Sequence, residues 1–157
     1  HVAFTAADAA ALPFRDATFD AVVGNAVLHH LPLERALPEL LRVLRPGGTF
    51  AFAEPNWLNP QVFAERRTPG MRRRSQVSED EVAFVRWPLR RRLAEAGFAD
   101  VRVEPFDFLY PLVPASWIGA AEKLAGALER VPLVREIAGS LLVSARRPRE
   151  GAAGRAT

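Results

Sequence analysis

The sequence has 157 residues, 49% of them apolar and 25% charged, and it contains no cysteine. One globular domain is the expectation at that length, and the balance excludes a disordered, collagenous or coiled-coil chain. The missing thiols exclude disulfide scaffolds, thiol redox chemistry and cysteine-ligated zinc or iron–sulfur sites, so a metal would depend on three histidines and the carboxylates.

Net charge is only +3, yet the isoelectric point is near 10.4. Both follow from the titratable groups. With one tyrosine, Tyr110, and one lysine, Lys123, the remaining cations are arginines that keep their protons past pH ~12. Local charge says more. From Glu65 to Arg92 there are nine arginines against four acids. The apolar run Phe108 to Ala121 is broken by Pro111 and Pro114 and is too short for a membrane span. No secretory signal opens the chain, and a cytoplasmic protein is expected. The chain begins at His1 and its one methionine is Met71, so it is expected to be a piece of a longer protein.

In chain order, His1 to Ala7 reads as a short strand, and Asp16-Ala-Thr18 as a turn into a second strand, Phe19 to Gly24. The uniformly apolar Ala21-Val-Val23 predicts a strand covered on both faces. Leu33 to Leu44 has leucines at helical spacing, and Arg45-Pro-Gly-Gly48 stops it. Pro38 fits only the first turn or a kink, which would move the helix start later. Thr49 to Ala53 is a third strand, completing a βαβ unit. Asn56 to Arg74 shows no period and reads as an irregular insertion or lid. Ser78-Glu-Asp-Glu81 is a capping box, and a helix opens at Pro88 and closes at Gly97. Val101 to Phe108 is a strand. Ser116 is placed to cap a helix through Leu128, with Trp117, Ala121, Leu124 and Leu128 on one face and Pro132 beyond its end. Ser140 to Ala145 is a last strand, and Glu150 to Thr157 has the composition of a disordered tail.

Strands alternating with helices imply an α/β sheet with ligands at the carboxyl ends of its strands. Those ends are Asp8, the stretch Gly24 to His30, and Glu54 to Trp57. Asp8 could accept from an exocyclic amine while the next N–H donates to a ring nitrogen, or it could cap its own turn. His29 and His30 point in different directions and make a poor metal pair, and one could serve as a base near neutral pH. Equally, one could be a core histidine and the other a surface one. No Ser/His/Asp elbow, Walker loop or Gly-x-Gly-x-x-Gly is present. The arginine patch is a solvated face, or a contact for an anionic small molecule or membrane surface, ahead of nucleic acid, because its aromatics show no stacking order.

Asp8-Ala-Ala-Ala-Leu-Pro-Phe14, Phe19-Asp-Ala-Val-Val-Gly-Asn25, Leu28-His-His-Leu31 and Leu44-Arg-Pro-Gly-Gly-Thr-Phe50 follow in order, with Leu93-Ala-Glu-Ala-Gly-Phe98 and a closing strand near Ser140. Together they resemble the carboxyl-terminal motifs of class I S-adenosylmethionine-dependent methyltransferases, over roughly Val2 to Pro148. The resemblance is to the small-molecule branch, which includes quinone and lipid methylases. It implies a partial Rossmann-like, doubly wound α/β sheet, mostly parallel with an antiparallel carboxyl-terminal strand. One domain over 1–148, with a cap at about 55–92 and a tail over 149–157, is expected.

The implied cofactor is S-adenosyl-L-methionine. Asp8 would contact its adenine amine, Ala9 would offer a backbone N–H to the ring, and Asn25 would lie beside the methionine part. Leu28, His29 and His30 would line the wall near the sulfonium, with the two histidines as catalytic candidates. Trp57 and Phe63 would line the acceptor pocket. The family's glycine-rich first motif and its ribose-binding acid have no counterpart in the sequence, which implies weak cofactor binding by this chain alone. The implied acceptor is a small or lipid-like molecule; the alternative is a non-catalytic module docking a partner or a polyanion through its sheet edge or arginine patch.

Overall fold

The structure, a computed structural model, describes residues 2–75, 82–108 and 113–149. Its strands are β1 (Phe19–Asn25), β2 (Leu44–Pro55), β3 (Ala99–Phe106) and β4 (Ser140–Arg146). The helices, in chain order, are α1 (Leu33–Val43), α2 (Pro60–Arg67), α3 (Pro69–Ser75), α4 (Arg86–Glu95), α5 (Ile118–Leu128) and α6 (Pro132–Arg135). One four-stranded sheet has the order β1-β2-β4-β3. β1 runs parallel to β2, whereas β4 lies antiparallel to both β2 and β3. Three strands thus point one way and the last runs against them, the mixed α/β arrangement expected from the sequence.

Register decides which residues reach the core. Val22 pairs with Phe50, Gly24 with Phe52, and Phe50 and Phe52 pair in turn with Ala145 and Val143. That face is packed by Leu33, Leu37 and Leu40 of α1 and by Leu89 and Leu93 of α4, at the helical spacing that a buried stripe requires. Phe50 is 1% exposed, and burying such a ring contributes about 1.5–3 kcal/mol. Arg147 closes the far end of α1, where its guanidinium donates to the carbonyls of Leu41, Arg42 and Leu44.

On the opposite face stand Ala21, Thr49 and Arg146 in one row, then Val23, Ala51, Ser144 and Arg102. Here the expectation of a strand covered on both faces fails, because Val23 is 81% exposed. No strand of residues 2–7 pairs with the outer edge of β1; the stretch has no regular structure and is exposed, and an isolated stretch has no ladder to hold it.

The predicted helix stop acts through a bulge. Phe19 pairs with Leu44 but Ala21 pairs with Thr49, so Arg45 to Gly48 loops out beside Asp20, whose carboxylate receives Arg45 at 2.6 and 2.7 Å. Gly47 adopts φ +83°, which its lack of a side chain permits. α1 starts at Leu33, with Pro38 accommodated on its exposed side.

Elsewhere the structure corrects the sequence reading. Asn56 to Arg74 is not irregular, for it contains α2 and α3. Asn59 caps α2 by accepting from the N–H groups of Gln61 and Val62, and Pro60 occupies the first turn. Ser116 caps nothing; it lies in a 3₁₀ turn, Ala115–Trp117, and α5 begins at Ile118 without a side-chain cap. The apolar face assigned to that helix is largely bare, with Trp117 67% and Leu124 62% exposed and Ala125 buried. Pro132 opens α6 rather than merely ending α5. The capping box at Ser78 to Glu81 and the tail from Glu150 lie outside the described residues.

Candidate active site

β1 and β2 end side by side, and a buried carboxylate shapes the chain that leaves them. Gly24 lies under the Phe52 ring, where an added Cβ would overlap the ring carbons. Ala26 then turns the chain at φ +53°, its N–H bonded to the carbonyl of Ala53. The next residues wrap onto Glu54, which is 1% exposed. Its Oε1 accepts from the N–H groups of Val27 (3.1 Å) and Leu28 (2.8 Å). Its Oε2 accepts from His29 N–H (3.3 Å) and pairs with His29 Nδ1 (2.8 Å). A carboxylate receiving three backbone donors can only accept from the imidazole, so His29 carries its proton on Nδ1. His29 is buried and His30 exposed, with ring centroids 4.0 Å apart.

Beyond Glu54, a second buried polar side chain ties the strand end to the approach of β4. Asn56 donates to the carbonyls of Glu136 and Ala138, both at 2.8 Å, and its backbone N–H reaches Gly139. Asn59 adds a bond to the Ile137 carbonyl. Phe84 bridges Asn56 and exchanges backbone bonds with Pro55 and Trp57, while the Val82 N–H points to the His29 carbonyl at 3.4 Å. The segment before α4 therefore crosses the strand ends. Trp57 meets Phe63 edge to face at 5.4 Å, and Arg67 sits 5.8 Å over the Phe63 ring. Arg86 pairs with Glu136 and lies over Trp87.

The Asp8 segment is held differently. Asp8 is exposed, and its Oδ1 accepts from the Ala10 N–H at 2.8 Å while its carbonyl accepts from Ala11. Among the described residues no acceptor faces the Ala9 N–H. Glu39 of α1 anchors the following residue through Leu12 N–H, and Arg42 binds Glu39, Asp16 and the carbonyls of Leu12 and Phe14. The Arg42 guanidinium, with help from the Leu12 N–H, lowers the Glu39 carboxyl from 4.5 to about 2, and Glu39 in turn raises Arg42.

The structure thus brings Leu28, His29, His30, Trp57 and the end of β1 at Asn25 to one sheet edge, crossed by the 82–84 segment. Asp8 and Ala9 stand on a separately anchored loop. Glu54 and Asn56 were missed as site residues. The signal was available: a glutamate and an asparagine on either side of Pro55, ending an otherwise apolar strand, need buried partners. The shallow cavity of about 400 Å³ lined by Thr49, Ala51, Arg102 and Ser144 is elsewhere, on the open face of the sheet.

Residues 1–52 match the family model described as a methyltransferase domain. The 27-O-demethylrifamycin SV methyltransferase of Amycolatopsis mediterranei is 34% identical over 135 residues, covering 82% of this chain and 46% of that protein. The demethylmenaquinone methyltransferase of Streptomyces avermitilis is 35% identical over 114 residues, 62% of this chain and 49% of that protein. A crystal structure of an S-adenosylmethionine-dependent methyltransferase from Thermotoga maritima superimposes over 90% of this chain and 62% of its own, with a TM-score of 0.67 at 17% identity. That likeness shows the fold.

The chain is thus similar, in sequence and in fold, to class I methyltransferases. It spans about half the length of the curated relatives it matches. Members of this methyltransferase family use S-adenosylmethionine. The residues at hand fit one end of such a molecule: the exposed Asp8 carboxylate is an acceptor and the adjoining Ala9 N–H a donor, the complement of an adenine edge. In this methyltransferase fold the backbone donors of the 27–29 turn face Glu54. What that turn offers a ligand is therefore its outer side chains.

Proposed function

We propose that the protein carrying this chain transfers a methyl group from S-adenosylmethionine to a small-molecule or lipid-like acceptor, and that the β1–β2 edge is this chain's share of the site. The observation that supports it most is the pairing of fold and relatives: a methyltransferase sheet whose strand-end residues sit at one edge, in a chain similar to proteins named for methylating rifamycin and menaquinone precursors. No helix among the described residues is long and apolar enough to cross a membrane. A lipid-like acceptor would therefore be met by the cap rather than by a span.

S-adenosylmethionine, when bound, supplies an electrophilic methyl on a sulfonium. Asp8 would accept from the adenine amine, Ala9 would donate to the ring, and Asn25 would stand beside the methionine portion. Leu28 and the histidine pair would wall the reacting region. Of the two histidines His30 is the exposed one, and on this reading it would take the proton from a hydroxyl acceptor. Trp57 and Phe63 would offer an aromatic wall to the acceptor, with Arg67 beside it for an anionic substituent. Orientation and exclusion of water can supply most of the acceleration for such a donor, and a base is then needed only for acceptors that must lose a proton.

The test is methyl transfer from labelled S-adenosylmethionine by the full-length protein to quinol and hydroxyl acceptors, paired with cofactor binding by Asp8→Ala. The reading expects transfer, and at least a roughly tenfold weaker affinity in Asp8→Ala with an unchanged fold. A full-length protein that neither binds nor consumes the cofactor would contradict it.

A further inference from the structure

Among the buried titratable groups of the described residues, Glu54 is the one whose surroundings exceed what packing requires. A glutamate at the end of a strand could reach solvent. Instead its two oxygens accept from three successive amides and one imidazole, all from the turn that follows the neighbouring strand. Each partner is more than twenty residues away in sequence, so the bonds tie β1's exit to β2 rather than capping a local turn. The turn's own secondary structure is slight: a 3₁₀ turn, Leu28–His30, whose preceding residue makes no side-chain cap.

We infer that Glu54 is a positioning residue of the reaction site: its carboxylate fixes the shape of the 26–30 turn and holds His29 as the Nδ1–H tautomer. This inference rests on the methyl-transfer reading for its consequence, because the turn it shapes is the wall assigned there to the reacting region. The His29 carbonyl also receives the Val82 N–H, so an imidazole and backbone held in one place also anchor the segment that crosses the site. Glutamine is a poor substitute. It has one acceptor oxygen, so its NH₂ group faces at least one backbone N–H that then loses its acceptor, and an NH₂ in the Oε2 place can pair with His29 Nδ1 only if that nitrogen accepts, which is the other tautomer. Aspartate keeps the charge but draws the carboxylate back by one methylene. It should recover part of the effect.

The experiment uses the ¹⁵N-labelled full-length protein. Long-range proton–nitrogen correlation at neutral pH reads the His29 tautomer, hydrogen exchange reads the amides of residues 27 to 29, and calorimetry reads binding of S-adenosylhomocysteine. The wild type is expected to show His29 protonated at Nδ1 with protected amides. Glu54→Gln should lose the single tautomer, exchange those amides at least roughly tenfold faster while the amide of Asn56 is unaffected, and bind S-adenosylhomocysteine at least roughly tenfold more weakly, with Glu54→Asp between the two. A wild-type His29 protonated at Nε2 would overturn the inference, and that measurement decides even if Glu54→Gln does not fold. Faster exchange with unchanged affinity would also overturn it, since Glu54 would then be structural only. A wild type that shows the tautomer and the protection but binds no S-adenosylhomocysteine would uphold the anchoring and defeat the methyl-transfer reading instead.

Discussion

The edge where β1 and β2 end and the helices that surround it are built on opposite terms. At the edge, Glu54 and Asn56 are each 1% exposed, and the bonds of the Glu54 carboxylate and of the Asn56 amide nitrogen join segments distant in sequence. Around it, α2 buries no residue, α5 buries Ala125, and Leu133 in α6 is 86% exposed. On the proposed methyl-transfer reading, the contrast separates two tasks. Reacting groups need fixed geometry, which buried and satisfied polar groups supply, whereas a surface meeting varied acceptors can be loosely held.

That division can be broken by substitution. The largest effect belongs to the core beneath the edge: Phe50→Ala should lower unfolding free energy by about 3–5 kcal/mol in chemical denaturation. Next comes the polar latch. Asn56→Ala leaves the Glu136 and Ala138 carbonyls without their donor and should cost about 1–3 kcal/mol. Gly24→Ala forces the Phe52 ring aside and should cost about 1–3 kcal/mol, with the ring's displacement visible in aromatic chemical shifts. Leu124→Ser and Leu133→Ser, on the bare helices, should each stay within about 0.5 kcal/mol. A loss above 2 kcal/mol there would show that those faces are packed, and the comparison would fail.

The subtlest effect is with pH, on the loop that carries Asp8. Glu39 has its carboxyl lowered from 4.5 to about 2. A depressed carboxyl stabilises the folded anchoring fully above its ordinary value and loses that contribution as pH falls through the folded one. The Leu12 amide should therefore remain protected at neutral pH and detach between pH 4.5 and about 2, ahead of amides in the sheet.

What the sequence made legible follows the same contrast. The strand–helix–strand unit from Phe19 to Ala53 and the leucine stripe of α1 were readable because buried faces write periodic patterns. α2 was misread because a helix that buries nothing shows no period; its start was encoded in Asn59-Pro60 instead. The apolar stripe of α5 misled for the converse reason, since periodicity announces a face but not what covers it. For His29 and His30 the sequence leaves a core-and-surface pair open beside a catalytic role, and the structure has His29 buried and His30 exposed. Glu54 lies within the Glu54-to-Trp57 strand end that the sequence marks, and a polar residue ending an apolar strand signals a buried partner, but which partner it has, some 25 residues away, no local pattern displays.

The central claim is that the β1–β2 edge and the Asp8 loop bind the cofactor. Titrating the ¹⁵N-labelled full-length protein with S-adenosylhomocysteine tests it most directly. The account predicts saturable shifts at the amides of Ala9, Asn25 and residues 27 to 30, with the amides of α5 unmoved. Shifts confined to the open face of the sheet around Ala51 and Ser144, or none at any concentration reached, would contradict it.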